Sequence, residues 1–252
     1  MKAFSASPPN SHQWLLLHSK SDGTCTKSFT RLLADETSPT VSEALLSRIL
    51  EKTVRRSSAL DTESLCLVAG SKCFSIRADV HVLAHDGNLL DASCIALIAA
   101  LQHFRRPDVT VEGEKVTVWS IREREPVKLS LLHHPLCVSF SYYDSGSIVI
   151  IDATEAEEKV REGEMVISVN KFGEVCQIAK YGGVTVDAVS LLSWTRTAVE
   201  KVKDITAFIQ QKLAEDDKKR NVGGLIAELS AENERPENAL ESFQRGRDTA
   251  MV

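Results

Sequence analysis

Residues 64–111, SLCLVAGSKCFSIRADVHVLAHDGNLLDASCIALIAALQHFRRPDVTV, constrain the fold more than any other stretch. Two strand-like runs lead there through an Asp-Gly turn into the most apolar helix of the chain. Leu65, Leu67 and Val68, then Phe74, Ile76, Val80, Val82 and Leu83, form short β-rich runs punctuated by Gly70 and closed at Asp86-Gly87. The pattern predicts paired central strands. Asn88 is placed to cap a helix starting near Leu89, with Asp91 in the first turn, where a negative charge complements the backbone dipole. From Ala92 to Leu101 nearly every residue is apolar or small, which predicts a helix buried on most of its circumference. A bilayer span needs roughly 20 consecutive apolar residues, and His103, Arg105 and Arg106 cut this run short. Pro107 disfavours helical geometry at Arg106, so the helix ends there and Val109–Val111 begins a strand. Arg105-Arg106 is then a charge pair at the negative helix end, or a contact to a neighbouring subunit.

With 252 residues, 43% hydrophobic, the chain can fill one large core or two fused ones. Its net charge of -5 excludes a surface that is a nucleic-acid sleeve throughout, so any nucleic-acid contact must come from a local patch. The six cysteines, at 25, 66, 73, 94, 137 and 176, lack close Cys-x-x-Cys pairing and read as buried free thiols. That reading suits a reducing intracellular compartment, as does the shortness of the Leu15–Leu17 apolar run beside a secretory signal.

Residues 1–38, with Pro8-Pro9 and many Ser and Thr, signal no element and are expected to form a weakly ordered arm. Ser38-Pro39-Thr40 opens a helix to about Ser57, with Val41, Leu45, Leu46, Ile49 and Val54 facing inward. On its outer side Arg48, Lys52 and Arg55 fall at i, i+4 and i+7, and Arg56 adds a fourth cation. The pattern alone fits a solvated face, partly neutralised by Glu43 and Glu51, as well as it fits a phosphate-binding one. Lys115–Ser120 reads as a half-exposed strand and the following IREREPVKLS as a loop. Leu136–Tyr143 with Ile148–Ile151, and Met165–Val169 with Val175–Ile178, read as hairpins flanking a short acidic-to-basic helix at 154–162. A long helix from Val186 to Ala214 carries Val189, Leu192, Val199, Val202, Ile205, Ile209 and Leu213 on a helical period. The expected division is an arm at 1–38, a body at 39–215 and a charged, flexible tail at 216–252.

The block from Asp61 to Val111, with PVKLSLLHHPLCVSF and EEKVREGEMVISVNKFGEVCQIAKYGG, resembles the RNase PH family. Within it the likeness is to the ring subunits of the eukaryotic RNA exosome that keep the fold without the active site. The resemblance spans about residues 39 to 225. It implies an α+β, RNase PH-like fold of the ribosomal protein S5 domain 2-like type, with mixed sheets and packed helices. Family members open with an Arg-rich motif and several strands that are not legible here, so an incomplete N-terminal sheet is expected. Active members degrade RNA from its 3′ end with phosphate as nucleophile, and their motif runs roughly Asp-x-Asp-x-x-x-x-Asp-Gly-Gly-Thr-Arg-Thr. The same register here reads Asp79, His81, Asp86, Gly87, Asn88, Leu89, Leu90, Asp91. One carboxylate is replaced by His81, and Leu89-Leu90 stands where Thr-Arg would grip the anion, so Asp79 and Asp86 are expected to be structural and the chain not an enzyme.

The resemblance further implies a hetero-hexameric ring with other RNase PH-like subunits, RNA-binding cap subunits and an associated processive nuclease, in nucleus, nucleolus and cytoplasm, with no membrane and no cofactor. It places Arg48, Lys52, Arg55 and Arg56 toward the RNA path. The competing expectation is an active phosphorolytic 3′–5′ exoribonuclease with a diverged site. Metal binding is not expected: His81 and His85 would sit about 13 Å apart on a strand, and His133-His134 has no third ligand nearby in sequence.

Overall fold

The structure, a computed structural model, describes residues 4–5, 13–20, 31–32 and, apart from 81, 83, 114, 121–122 and 184, all of 41–223. Strands β1 (Phe4–Ser5), β2 (Gln13–Lys20) and β3 (Arg31–Leu32) precede helix α1 (Val41–Glu51), which continues into a π-helical segment, Lys52–Arg56. Strands β4 (Cys66–Val68) and β5 (Lys72–Val80) lead to α2 (Leu89–His103), then to β6 (Arg105–Arg106), β7 (Val109–Glu112), β8 (Lys115–Val118) and β9 (Val127–Lys128). The chain continues through β10 (Leu136–Tyr143), β11 (Ile148–Ile151), α3 (Glu155–Val160), β12 (Gly163–Val169), β13 (Val175–Gly182) and α4 (Ala188–Gly223).

β5 is the spine of a five-stranded sheet ordered β1-β2-β5-β3, with β4 also paired to β5. β2 runs antiparallel along it from Gln13 opposite Val80 to Lys20 opposite Cys73, and β3 pairs with it in parallel. Three strands of this sheet come from residues 1–38, which corrects the expectation of an arm without elements and of a sheet lacking its N-terminal strands at the positions described. QWLLLHSK holds one short apolar run with no alternation, so its strand identity comes from pairing with residues some sixty positions away, which no local period encodes.

The second sheet, ordered β11-β10-β12-β13, is antiparallel throughout and joins both predicted hairpins. β10 is buried almost end to end because both its faces are covered. On one face Trp194 of α4 stacks on Phe140 and Tyr142, at ring-centroid distances of 5.8 and 6.0 Å. The alternate residues Cys137 and Ser139 face the other way, toward the π segment and α2: Thr53 Oγ1 lies 3.5 Å from Cys137 Sγ, and Ser139 bonds Asp91. Burial of Phe140, Tyr142 and Ile167 stabilises this core by about 1.5–3 kcal/mol per side chain.

Several apolar faces differ from their predicted form. In α1 the inward residues are Ile49 and Leu50, followed by Val54 in the π segment, whereas Leu45 is 41% exposed. In α4 Val202 and Ile209 of the predicted stripe are buried, joined by Trp194 and Ala198, while Val189 and Leu192 stand 72% and 64% exposed. The stacking partners Phe140 and Tyr142 select the Trp194 face, and a hydrophobic period alone does not rank two competing apolar stripes. Arg105-Arg106 is a strand paired with Val127-Lys128, which also puts a strand in the predicted IREREPVKLS loop. The charge-pair reading survives only for Arg105, whose guanidinium donates to the Gln102 and His103 carbonyls at 3.2 and 3.0 Å; Arg106 lies over the Phe74 ring. Of the described cysteines Cys94 and Cys137 are buried, Cys73 and Cys176 are half-buried and Cys66 is exposed, so the buried reading fails at Cys66; Cys25 lies outside the described residues.

One compact unit takes in residues to Ala207 and a second runs from Phe208. In the second, the helix continues past its predicted end at Ala214 to Gly223, with Lys212 Nζ and Gln211 Nε2 each 3.0 Å from the Glu215 carboxylate. No helix among the described residues is long and apolar enough to cross a membrane.

Candidate nucleic-acid interface and the remnant anion site

Two regions gather the residues singled out by the sequence. The first surrounds the N-terminus of α2, where the family register places its acid and anion-gripping groups. Asp79 is buried on β5, with Trp14 and Arg31 as its Cα partners on the flanking strands, while Asp86 is exposed in the turn. His81 lies outside the described residues. Gly87 has φ +92°, and a Cβ there would collide with the Ala153 carbonyl oxygen, so the Asp-Gly turn packs directly against the strand-to-α3 loop.

Asn88, standing where the motif has its second glycine, is left-handed at φ 46° and ψ 41°, a conformation Asn tolerates better than most residues. It occupies the cap position but its side chain makes no capping bond, which corrects the expectation. Instead its Nδ2 donates to Asp152 Oδ1 at 2.9 Å and its backbone N–H donates to Glu158 Oε1 at 2.8 Å. A carboxylate of the chain itself therefore sits at the positive end of α2, where helix N-termini otherwise bind external anions. Glu158 is held there by α3, whose start carries a full capping box between Thr154 and Glu157, and by Arg161, 3.7 Å away. Leu89 is half-buried and Leu90 is buried in the α2 core face. Asp91, predicted to complement the dipole, ties α2 to β10: Ser139 donates to it from both its N–H (2.8 Å) and its Oγ (2.7 Å). Burial lifts the Asp91 carboxyl to about 6 against the downward pull of those bonds.

The second region is an open cleft of about 720 Å³ beside the π segment, and it gathers Arg48, Lys52, Arg55 and Arg56. Its other wall is the 58–63 loop with Leu132, pinned by the Leu132 N–H to Ala59 O bond (2.8 Å), the Asp61 N–H to Ser130 O bond (3.0 Å) and His133 Nε2 donating to Ser57 O (2.6 Å). Three acids, Glu51, Asp61 and Glu63, share the lining with the four cations. Glu51 pairs with Arg55 at 2.7 Å, and Asp61 Oδ1 accepts from the N–H groups of Glu63 and Ser64. The cleft can attract polyanions by charge alone, without reading sequence.

Among the described residues no His, Cys, Asp or Glu group could hold a metal ion. His85 Nδ1 accepts from the Gly87 N–H at 3.3 Å, and His134 is half-buried, with burial pushing its pKa below the usual histidine value. The sequence brought the four cations to notice, and the structure places them in one cleft. It gave no sign of Glu158 or Asp152 as internal counter-groups, since they lie 70 and 64 residues from Asn88 and their acidic run reads only as a helix start.

Residues 2–107 match the model of the 3′ exoribonuclease family, domain 1, and residues 133–198 match domain 2 of the same family. The chain belongs to this RNase PH family, and its α+β architecture of two sheets with packed helices is the RNase PH-like fold. It is 52% identical over 193 residues to exosome complex component rrp45 of Schizosaccharomyces pombe, covering 77% of this chain and 66% of that protein. It is 48% identical over 205 residues to exosome complex component RRP45 of Saccharomyces cerevisiae (77% and 67% covered), and 46% over 179 residues to that of Homo sapiens (71% and 41%). The chain thus spans about two thirds of the yeast relatives' length and less than half of the human one's. A chain of an archaeal exosome core shares the fold at TM-score 0.60 and 22% identity, over 79% of this chain and 77% of that one.

Proposed function

We propose that the chain is a non-catalytic subunit of an RNA exosome ring. In this reading it pairs with other RNase PH-like subunits and contributes its cationic cleft to the path of RNA toward a separate, processive 3′ nuclease. The observation that carries the non-catalytic part is the Glu158 carboxylate on the Asn88 N–H, together with Leu89-Leu90: the place where the family motif would grip phosphate is filled by the chain's own acid and by apolar side chains. The names of the relatives support ring membership; the proposal extends it to RNA-binding cap subunits and to a nuclear, nucleolar and cytoplasmic location. The cleft supports the RNA contact, because its four cations outnumber the three acids in its lining, one of which is already paired with Arg55.

Incubating the purified chain with labelled single-stranded RNA and inorganic phosphate should release no nucleoside diphosphates; their release by the chain alone would overturn the non-catalytic reading. Mixing it with RNase PH-like exosome subunits should give a co-eluting ring on size exclusion, and elution apart from them would overturn ring membership.

A further inference from the structure

The i, i+4, i+7 spacing of Arg48, Lys52 and Arg55 assumes a continuous α-helix, and the chain does not keep one. α1 ends at Glu51 and Lys52–Arg56 is a π turn, as the Ala59 N–H to Val54 O bond of 3.1 Å, an i→i−5 closure, continues to show. At about 100° per residue, an α-helix would put Arg55 some 20° from the direction of Arg48 and Arg56 some 80° to the other side. The wider π turn advances roughly 80° per residue. Summed from Arg48, that carries Arg56 back to within about 10° of it and swings Arg55 about 75° away, onto the side of Glu51. The Arg55 guanidinium is paired to the Glu51 carboxylate at 2.7 Å, an i,i+4 contact that the rotation keeps and that an unbroken helix would also allow. Arg56 and Arg48 are both exposed, and no ion pair engages either of them among the described residues.

We infer that the π turn exchanges the roles of Arg55 and Arg56: the phosphate-contacting row is Arg48–Lys52–Arg56, while Glu51 holds Arg55 aside as a damped fourth charge. This rests on the proposed RNA contact at the cleft and names the residues that make it. The ligand is the backbone of a single-stranded polyribonucleotide, whose successive phosphates suit a row of cations one helical turn apart. Buried Thr53 and Val54 on the inner side of the segment set the turn, because both must stay in the core while the outer side widens.

The test uses the full-length chain and a fluorescein-labelled oligouridylate, with affinity measured against salt. Removing one cation from a single-strand phosphate should lower the log–log salt slope by about 0.7. Arg56→Gln is expected to lower it by about that amount, as are Arg48→Gln and Lys52→Gln, while Arg55→Gln lowers it by less than half as much. Glu51→Gln frees Arg55 and raises the slope. If Arg55→Gln costs as much as Arg48→Gln while Arg56→Gln costs little, the cleft still binds RNA but the exchange of roles is wrong. If none of the four substitutions moves the slope, the cleft reading and this inference fall together. Melting curves of the variants, expected to overlay the parent's, separate a missing cation from a disturbed fold.

Discussion

The two charged regions of this chain are built oppositely. At the N-terminus of α2 the protein answers its own electrostatics: donors and helix dipole meet Glu158 and Asp152, and the neighbouring positions are apolar and packed. Along the π segment it leaves an excess of positive charge, with Arg48, Lys52 and Arg56 lining an open cleft and, among the described residues, only Arg55 of the four cations in an ion pair. A functional site is charge that the fold declines to neutralise. On the proposed reading the second region is a working surface and the first is a site whose charge the fold has absorbed.

The contrast between the two regions breaks most readily at Leu90. Restoring the motif's arginine there, Leu90→Arg, should cost about 4 kcal/mol or more, because it removes a buried leucine and buries a guanidinium without a partner. Melting should fall by roughly 8–16 °C. A variant that stays folded and gains phosphate binding would mean the position still belongs to a site rather than to the core.

Asp91 gives the next effect. Its carboxyl is lifted by burial from 3.8 to about 6, so its contribution to stability is complete below about pH 3.8 and is lost as pH rises through about 6. That loss is roughly 3 kcal/mol. Asp91→Asn keeps a hydrogen-bonding carbonyl and cannot ionise, so urea unfolding should show the variant gaining on the parent between pH 4 and 7. A gap that stays constant over that range would mean that this carboxyl does not titrate there.

The smallest effect is expected at the self-occupied helix end. Glu158→Ala leaves the Asn88 N–H without its acceptor and should cost about 1–2 kcal/mol. Added inorganic phosphate should restore part of that loss in the variant and shift the parent's melting little. An equal response in both would mean that Glu158 is not what closes the position.

The parts of the fold legible in the sequence were those set by local pattern. The two hairpins of the second sheet, the Asp-Gly turn and the apolar helix from Leu89 to His103 follow from alternation, turn residues and composition. β2 was not legible, because a four-residue apolar run becomes a strand only through its register with β5. Nor was the first part of the inward face of α4, where Phe140 and Tyr142, some fifty residues earlier in the chain, select Trp194 over Val189 and Leu192, although Val202 and Ile209 on the predicted period are buried. At the N-terminus of α2 the absence of the Thr-Arg pair could be read directly, whereas the presence of the Glu158 carboxylate there could not. At the cleft the cations could be counted, but a π turn has no marker in KTVRR, so their alignment had to come from the backbone.

An enzyme that must hold phosphate is firmer when phosphate is plentiful and looser when it is scarce. By setting the Glu158 carboxylate of α3 on the N–H of Asn88, the cap residue of α2, this chain meets that amide with an anion it carries itself. Its rigidity at that point should then be indifferent to the phosphate concentration, which suits the structural role proposed for it.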